Sequence, residues 1–347
     1  TARLLMGLLS GQDFQSIITG DDSLSRRPMG SLVKILNDKL GAQLKTSEGG
    51  VLPCVIDGIS LHGNEVELPV ASAQMKSAVL LAGLGSGKEV AVSEPYLSRD
   101  HTERMLAAFG SGILTEGTTT TILSTYRFTA EKEFEYHLPG DISSASFLIG
   151  AAIVLRKNIK ITGLGLNKTR RKFLELLRMS GLEIEISEQR EEWNEEGGTV
   201  EIFADESSPT LPFMVQRSDV PLLIDEIPML AVLAAFCDGE SVFSGLSELR
   251  KKESDRVESI LTNLQEFGVD AVEAVDGLIV RGSGSTTYAH SRIEHNGDHR
   301  IAMAFSILAL TSNRSVTISS ANIVSISYPN FFKDLATLAG TGRINYS

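Results

Sequence analysis

The sequence predicts an α/β fold with two domains, built from copies of one repeated unit. First, 347 residues exceed what a single hydrophobic core usually accommodates. Second, apolar segments long enough for buried helices alternate with short β-branched runs that are typical of strands. Third, the amphipathic segments end at glycines with near-constant steps of 69, 71, 87 and 72 residues, namely Gly41, Gly110, Gly181, Gly268 and Gly340.

The overall composition is that of an ordinary globular protein. Hydrophobic residues make up 42% and charged residues 22%, which excludes disordered, collagen-like and coiled-coil classes. The net charge of −12, without a block of Lys or Arg, argues against nucleic acids and anionic membranes as partners. Cys54 and Cys237 lie far apart without metal-ligand spacing, so we predict buried, reduced thiols in a cytoplasmic protein.

Each full copy of the repeat is predicted to open with a buried helix followed by a strand. The helical segments begin with polar residues, an N-terminus signal, and continue with apolar residues on nearly every side. They cover 72–83, 141–152, 225–235 and 298–310. The β-branched runs that follow predict strands at 89–93, 158–162, 240–243 and 315–319.

A second, amphipathic helix completes each copy. These helices are predicted over 98–109, 169–180, 252–267 and 329–339, each before a glycine suited to a left-handed cap. A partial copy comes first, with a helix over 1–10, a strand over 16–19 and a helix over 27–40. The acidic stretch 187–198 is predicted to form an exposed hairpin or loop. Because the partial copy lacks its leading strands, we expect further residues ahead of Thr1.

The openings of several predicted helices carry residues suited to binding anions. Helix N-termini favour negative charge through free N–H groups and the macrodipole, and arginine binds phosphate or carboxylate with two parallel hydrogen bonds. Lys252, Glu253 and Arg256 would fall within an arc of about 100° at the start of one helix. The alternative for each opening is a solvated, charged helix start. The other openings with candidate residues are Arg26-Arg27-Pro28, Ser72 to Gln74, Ser98 to His101, Asp225-Glu226 and Asp298 to Arg300.

Motifs along the whole chain together resemble the 5-enolpyruvylshikimate-3-phosphate (EPSP) synthase family, in particular its class II branch. They are Thr1-Ala-Arg-Leu4, Arg27-Pro28, Ser72-Ala-Gln-Met-Lys76, Ser98-Arg-Asp-His-Thr-Glu103, Gly140-Asp-Ile-Ser-Ser144, Asn167-Lys-Thr-Arg170, Leu223-Ile-Asp-Glu226, Lys252-Glu-Ser-Asp-Arg256, Gly297-Asp-His-Arg300 and Ser327-Tyr-Pro-Asn-Phe331. The resemblance implies an inside-out α/β barrel of two domains built from βαβαββ units, with the first unit missing. It implies an N-terminal domain over 1–139, a C-terminal domain over 140–347 and a hinge near Leu138.

The resemblance also implies a reaction. The family transfers the enolpyruvyl group of phosphoenolpyruvate to the 5-hydroxyl of shikimate 3-phosphate and releases phosphate. The enol carbon gains and then loses a proton while the hydroxyl loses one, so acid–base groups are needed among cations. By the resemblance, Asp225 is the base toward the hydroxyl and Glu253 handles the carbon proton. No metal or cofactor is implied.

Ligand-binding residues are likewise carried over from the family's motifs. Those for shikimate 3-phosphate are Ser72, Ala73 through its backbone, Gln74, Arg99, Asp225 and Lys252. Those for phosphoenolpyruvate are Arg27, Gln74, Arg256 and Arg300. Glyphosate is the expected inhibitor, and we expect a monomer.

Two alternatives stay open. One is a catalytically incompetent fragment of the same enzyme, because the family's Pro-Gly-Asp-Lys-Ser segment, which contacts both substrates, has no counterpart in this sequence. The other is a UDP-N-acetylglucosamine enolpyruvyl transferase. Members of that family usually carry a Cys on the loop before an Arg-Pro pair, and residues 21–27 hold none.

Overall fold

The chain divides into two compact units. The computed structural model describes residues 1–124, 135–205, 208, 211–283, 292–312, 314–340, 342 and 344. Unit 1 comprises Thr1–His137 and Glu191–Glu195, and unit 2 comprises Leu138–Arg190 and Glu196–Ser347. The domain boundary between residues 139 and 140 stays a prediction. Within the described ranges, no helix is both long and apolar enough to cross a membrane.

Helices and short strands alternate along unit 1. Its helices are α1 (Ala2–Ser10), α2 (Asp22–Ser25), α3 (Gly30–Leu40), α4 (Ala73–Ser86) and α5 (His101–Ala108). Its strands are β1 (Ser16–Ile18), β2 (Gln43–Ser47), β3 (Val51–Asp57), β4 (Asn64–Glu67), β5 (Val90–Ser93), β6 (Ile113–Glu116) and β7 (Thr119–Ile122). They form a three-stranded antiparallel sheet, β1-β3-β2, and a four-stranded sheet, β4-β5-β7-β6.

Helices and strands also alternate along unit 2. Its helices are α6 (Ile142–Val154), α7 (Lys172–Met179), α8 (Val220–Leu223), α9 (Ile227–Ala234), α10 (Arg256–Glu266), α11 (His299–Ala309) and α12 (Phe331–Ala339), with 3-10 helices at Leu246–Lys251 and Ala321–Ile326. Its strands are β8 (Ile159–Gly165), β9 (Glu183–Glu192), β10 (Glu195–Phe203), β11 (Met214–Val215), β12 (Asp238–Ser244), β13 (Asp270–Ala274), β14 (Gly277–Ser283), β15 (Arg292–Ile293) and β16 (Thr317–Ile318).

The same strand order recurs in both units. In β4-β5-β7-β6 the first pair is parallel and the next two pairs are antiparallel, and β11-β12-β14-β13 repeats this order. In the β8-β10-β9 sheet, Gly140 makes a parallel bridge to Leu164 of β8. Gly140 thus occupies the position that β4 and β11 have as the first strands of the two four-stranded sheets. The chain order in each case is strand, helix, strand, helix, strand, strand. This confirms the predicted α/β repeat, while closure of the units into barrels stays a prediction.

The glycines that define the repeat all have positive φ angles, and Gly41 adopts the predicted left-handed cap, whereas Gly340 has a ψ of 144° and does not. Gly41, Gly110, Gly181, Gly268 and Gly340 have φ angles of 71°, 76°, 97°, 79° and 98°, a region that side chains disfavour. The predicted buried helices correspond to α4, α6, α9 and α11, and every residue of α9 is buried. Both cysteines are buried and unpaired, as predicted, and burial raises the pKa of Cys54 to about 11 and that of Cys237 to about 12.

Several second helices begin later than predicted, and two of these differences change the site. The helix predicted from residue 252 begins at Arg256, because the Asp255 carboxylate caps it by accepting from Glu258 N at 3.1 Å. The helix predicted from residue 27 begins at Gly30. There the Asp21 carboxylate caps a separate short helix, α2, at Leu24 N. At α10 the start is therefore set by the side chain that reaches a free N–H group, whereas α3 begins after Met29 without a side-chain cap.

The stretch 187–198 forms a hairpin, as predicted. Strands β9 and β10 pair, and Trp193 and Asn194 turn the chain with φ angles of 53° and 62°. Residues 187–191 and Asn194 are exposed, as predicted. The Trp193 ring packs against Phe109 at a centroid distance of 5.1 Å. Glu195, which is buried, lies 2.7 Å from His101 Nδ1. The end of the hairpin therefore also contacts residues of unit 1, which the prediction did not include.

Candidate active site

In unit 2, the ends of four secondary-structure elements supply the charged residues predicted for the site. Asp225 lies immediately before the N-cap residue of α9, Glu226. Lys252 follows the 3-10 helix in an extended conformation, with Glu253 next along the chain. Arg256 is the first residue of α10, and Arg300 lies in the first turn of α11. Lys252 and Glu253 thus precede α10, and the predicted grouping on one helical face is wrong.

The Arg256 guanidinium joins these segments instead. Its Nη1 donates to Asp225 Oδ1 and to the Ile224 carbonyl, both at 3.2 Å, and its Nη2 donates to Glu253 Oε2 at 2.9 Å. Its Nε donates to Asp298 Oδ2 at 2.7 Å. Arg256 is only 1% exposed, so three carboxylates compensate one buried cation. The guanidinium makes these contacts from three separate nitrogens in one plane, whereas a lysine would have to make all of them from a single atom.

The guanidinium of Arg300 also contacts Asp225. Arg300 Nε lies 3.2 Å from Asp225 Oδ1, the same oxygen that Arg256 bonds. Asp298 caps α11 by accepting from Arg300 N at 2.9 Å with its Oδ1. One carboxylate therefore fixes the side chain of Arg256 and the backbone of Arg300. With Lys252, the cluster balances three cations against three carboxylates.

Burial and neighbouring charges set the protonation of this cluster. Burial alone would lower the pKa of Arg256, but Asp298, Asp225 and Glu253 outweigh it and raise that pKa, so the guanidinium stays charged. The pKa of Lys252 is lowered, since loss of solvent around its ammonium and repulsion by Arg256 outweigh the attraction of Asp225. Burial and Arg300 also lower the pKa of His299, so this histidine adds no cation at neutral pH.

A polar network that the sequence did not indicate lies behind Asp225. Glu226 is fully buried, and Ser143 Oγ donates to its Oε1. Arg170 Nη2 donates to Ser143 Oγ at 2.5 Å and to Asp141 Oδ1 at 2.8 Å. Asp141 caps α6, and although burial opposes it, Arg170 and this capping lower the pKa of Asp141. The network anchors the backbone next to Asp225 to the start of α6.

In unit 1, the N-terminus of α4 presents the predicted neutral residues. Ser72 caps the helix by accepting from Met75 N at 3.4 Å, and Ala73 and Gln74 form its first turn. Arg3 of α1 donates through Nη1 to Gln74 Oε1 and through Nη2 to the Pro28 carbonyl at 2.9 Å. Arg3 thus links the start of α4 to the segment that carries Arg27.

Arg27 and Arg99 both lie on connecting segments rather than on helices. Arg27 follows α2, with its N–H bonded to the Leu24 carbonyl at 3.1 Å. Arg99 lies in the segment between β5 and α5 and is half-buried. Both helices begin three residues later than predicted, α3 at Gly30 and α5 at His101. Asp100 and His101 therefore open α5 as predicted, whereas Arg27 and Arg99 precede their helices.

The two units thus each gather part of the predicted set. Unit 2 brings together Asp225, Lys252, Glu253, Arg256 and Arg300, and unit 1 holds Arg27, Ser72, Ala73, Gln74 and Arg99. Sequence reasoning missed Arg3, and it named Asp298 only as part of a charged helix opening, without its role in holding Arg256. Asp298 had a usable signal, since Asp is a favoured N-cap residue, whereas nothing local marks Arg3 as the partner of Gln74.

The unit 2 cluster can bind an anion and move protons. Guanidinium groups that are already hydrogen-bonded need no reorganisation when an anionic ligand arrives. Asp225 and Glu253 are carboxylates on the edge of this cationic region, each partly exposed, and both can accept a proton. Among the described residues, no cluster of three or more His, Cys, Asp or Glu side chains is arranged to hold a metal ion.

Comparison with known proteins gives a consistent result. The family model of EPSP synthase (3-phosphoshikimate 1-carboxyvinyltransferase) matches residues 1–335. The 3-phosphoshikimate 1-carboxyvinyltransferase of Shouchella clausii is 41% identical over 340 residues, covering 97% of this chain and 77% of that protein. That of Geobacillus kaustophilus is 38% identical over 341 residues, covering 97% of this chain and 78% of that protein.

Solved structures agree with these relatives. The EPSP synthase of Acinetobacter baumannii superimposes with a TM-score of 0.82 at 38% identity, covering 98% of this chain and 76% of that one. The enolpyruvyl transferase NikO of Streptomyces tendae gives a TM-score of 0.74 at 16% identity, covering 96% of this chain and 75% of that one, which shows a shared fold. The match over residues 1–335 and the identities near 40% establish that the chain belongs to the EPSP synthase family.

Proposed function

We propose that the chain transfers the enolpyruvyl group of phosphoenolpyruvate to the 5-hydroxyl of shikimate 3-phosphate, giving 5-enolpyruvylshikimate 3-phosphate and phosphate. The observation that carries this proposal is the cluster around Arg256, where Asp225 and Glu253 are bonded by guanidinium groups suited to an anionic substrate. Relatives named for this activity, at about 40% identity, support it.

The cations and polar groups of both units bind the two anionic substrates in this proposal. Phosphoenolpyruvate is held by Arg27, Gln74, Arg256 and Arg300. Shikimate 3-phosphate is held by Ser72, the Ala73 backbone, Gln74, Arg99, Asp225 and Lys252. The amides at the start of α4 and the charge-assisted contacts of the arginines supply the chemistry that phosphate and carboxylate groups require.

Two carboxylates move the protons. In the addition step, Asp225 takes the proton of the 5-hydroxyl and the hydroxyl oxygen bonds to carbon-2 of the enol. Glu253, which enters this step with a proton taken from solvent, gives that proton to carbon-3. In the elimination step, carbon-3 returns a proton to Glu253 and phosphate leaves carbon-2, so the double bond forms again. The proton held by Asp225 then leaves with phosphate or solvent, and the overall reaction is balanced. Arg256, Arg300 and Arg27 stabilise the negative charge throughout.

The rival acceptor, a UDP-amino sugar, finds little support. A cysteine that donates a proton to an enol must reach the ligand and ionise readily. Here both cysteines are buried, and burial raises the pKa of each thiol. Neither thiol is therefore suited to that role.

The family membership also suggests how the chain is organised. We propose that residues 1–139 and 140–347 form the two domains of the family, that the chain acts as a cytoplasmic monomer, and that glyphosate inhibits it. Sedimentation at several concentrations tests the oligomeric state, and a concentration-dependent mass would contradict a monomer.

A phosphate-release assay tests the proposed activity. Purified chain should release phosphate only when phosphoenolpyruvate and shikimate 3-phosphate are both present, and mass spectrometry should detect the enolpyruvyl product. Replacing the acceptor by UDP-N-acetylglucosamine should abolish release, and turnover with that acceptor would favour the rival family. Absence of turnover with either acceptor, in a chain shown to be folded by circular dichroism, would favour the catalytically incompetent alternative.

A further inference from the structure

Two motifs of the sequence each contain a charged residue that the proposed reaction does not use. Lys76 belongs to the segment Ser72 to Lys76 at the start of α4, and Glu103 ends the segment Ser98 to Glu103 at the start of α5. Both are buried, and Lys76 is only 3% exposed. A buried lysine is costly unless it is paired, so its partners define what it does.

Lys76 pairs with residues on either side of the segment that carries Arg99. We call residues 95–100 the Arg99 loop. Lys76 Nζ lies 2.8 Å from Glu94 Oε1, immediately before this loop, and 2.7 Å from Glu103 Oε1, in the first turn of the helix that follows it. Glu94 Oε1 also accepts from Ser98 N at 2.9 Å, one residue before Arg99. A single ammonium therefore holds both ends of the loop, and Glu94 extends that hold to its middle.

A second contact ties the same elements together. Ser77 Oγ, next to Lys76 on α4, lies 2.6 Å from Thr102 Oγ1, next to Glu103 on α5. The segment from β5 to α5 is thus fixed to the first turns of α4, the helix that presents Ser72, Ala73 and Gln74 at its N-terminus.

We propose that Lys76 is a positioning residue for shikimate 3-phosphate. It fixes the position of the Arg99 loop relative to the N-terminus of α4. The inference rests on the proposed function, in which Arg99 and the start of α4 bind the same substrate. Lys76 itself is buried, and in this proposal it does not contact the ligand. It acts by keeping Arg99 at a fixed place relative to Ser72 and Gln74.

The charge balance explains why the ammonium is needed. Two carboxylates face one cation, so the cluster keeps a net negative charge away from water. Burial raises the pKa of Glu103 despite its contact with Lys76, whereas Glu103 and Glu94 outweigh burial and raise the pKa of Lys76. Without the ammonium, buried Glu94 and Glu103 would have no counter-charge and would tend to take up a proton, and the link that Lys76 makes between the two ends of the Arg99 loop would be lost.

The test is a double-mutant cycle of Lys76→Met with Arg99→Ala, measured as the dissociation constant of shikimate 3-phosphate by calorimetry. Lys76→Met alone should weaken binding about tenfold, the lower range for a charge-assisted contact, because Arg99 is displaced. The Michaelis constant for phosphoenolpyruvate should change by less than about twofold. In the Arg99→Ala background, Lys76→Met should raise the dissociation constant by less than about a further twofold, since coupled residues give non-additive effects.

The matched control is Lys172→Met, which removes a lysine 3.0 Å from Asp219 in unit 2 and should leave the dissociation constant unchanged. If Lys76→Met does not fold, Glu103→Gln is the second variant. It keeps the Lys76–Glu94 pair and should weaken binding of shikimate 3-phosphate about threefold, because only one of the two ion pairs of Lys76 is lost. Additive effects of Lys76→Met and Arg99→Ala would overturn the positioning role while leaving the proposed function intact. Unchanged binding in Arg99→Ala itself would instead overturn the assignment of Arg99 in the proposed function, and the inference with it.

Discussion

Arg256 and Asp298 form a buried ion pair in unit 2, with Nε and Oδ2 2.7 Å apart and side-chain exposures of 1% and 0%. The other oxygen of Asp298 accepts from Arg300 N at 2.9 Å and caps α11. Two residues proposed to bind phosphoenolpyruvate therefore depend on one carboxylate that is itself out of reach of solvent. The first contact fixes the guanidinium of Arg256 and the second fixes the backbone at Arg300, so the protein itself holds both residues in position.

Asp298→Asn should weaken both folding and binding of phosphoenolpyruvate. Asparagine still caps a helix, but Arg256 loses one of its three counter-charges. The free energy of unfolding should fall by about 3 kcal/mol, the lower end for breaking a buried ion pair, because Asp225 and Glu253 remain. Urea unfolding measures this change, and steady-state kinetics should show a raised Michaelis constant for phosphoenolpyruvate.

The control is Asp276→Asn, in a pair with Arg217 whose side chains are 62% and 29% exposed. Exposed pairs contribute at most about 1 kcal/mol, so this variant should unfold almost as the parent does. Equal losses in both variants would mean that burial of the Arg256–Asp298 pair is unimportant.

Glu253→Gln should slow turnover without weakening substrate binding. Glutamine keeps an oxygen to accept from Arg256 Nη2, now 2.9 Å from Glu253 Oε2, but it cannot exchange a proton with carbon-3. The turnover number should fall about 100-fold or more, the usual scale for loss of a general acid–base group. Rapid-quench kinetics would measure it, with Glu258→Gln on the exposed face of α10 as the control. A near-normal turnover number would remove Glu253 from proton transfer.

The sequence was informative where structure depends on local pattern. The five glycines at helix ends and the apolar segments of α4, α6, α9 and α11 follow from steric and hydrophobic rules that act within a few residues. The helix start at Arg256 was misplaced because Asp255, within the same charged stretch, is the residue that caps α10. The start at Gly30 was misplaced because a separate short helix, α2, capped by Asp21, precedes it.

Long-range partners could not be read in the same way. Arg3 and Gln74 are 71 residues apart, and Arg256 and Asp298 are 42 apart, yet each pair is in hydrogen-bond contact. The candidate residues of unit 2 were identified from charged segments and family motifs, but the reason for their grouping was wrong. They meet through one guanidinium that reaches three segments, and not through the 3.6-residue period of a helix.

Gly7→Ala should disturb the packing that carries the start of α4. A Cβ atom at Gly7 would lie 1.9 Å from the Ala78 carbonyl oxygen, so α1 and α4 would have to separate. Overpacking of this kind costs about 1–3 kcal/mol. The melting temperature should fall, and shikimate 3-phosphate should bind more weakly because Ser72 and Gln74 move with α4.

Gly30→Ala provides the matched control in the same unit. Its Cβ atom would meet only Gly50 Cα at 3.7 Å, an ordinary contact, at the first residue of α3. Alanine favours helix over glycine by up to about 1 kcal/mol, so stability should be unchanged or slightly increased. A stable Gly7→Ala variant with normal substrate binding would show that the close contact of α1 with α4 is not needed.

The lowered pKa of Lys252 predicts a pH dependence for binding of shikimate 3-phosphate. The ammonium form binds the anion, and loss of solvent favours the neutral amine, so Lys252 should lose its proton below the ordinary lysine value of about 10.4. Above the pKa of the free protein, the dissociation constant should rise by up to about tenfold per pH unit. Lys252→Arg stays protonated throughout this range, so its dissociation constant should stay constant between about pH 8 and 10, where the ligand's phosphate no longer titrates.

The free energy of unfolding should rise with pH, whereas the affinity for shikimate 3-phosphate should fall. Because the pKa of Lys252 is lower in the folded than in the unfolded chain, its contribution to stability is present above the unfolded value and is lost as the pH falls through the folded value. The free energy of unfolding of the parent should therefore rise slightly with pH in this range, an effect that solvent limits because Lys252 is exposed, and Lys252→Met should bind shikimate 3-phosphate poorly. Lys251→Arg, at an exposed neighbour 2.9 Å from Glu248, is the control and should keep the pH profile of the parent. Identical profiles in the parent and in Lys252→Arg would show that Lys252 is not the group that titrates.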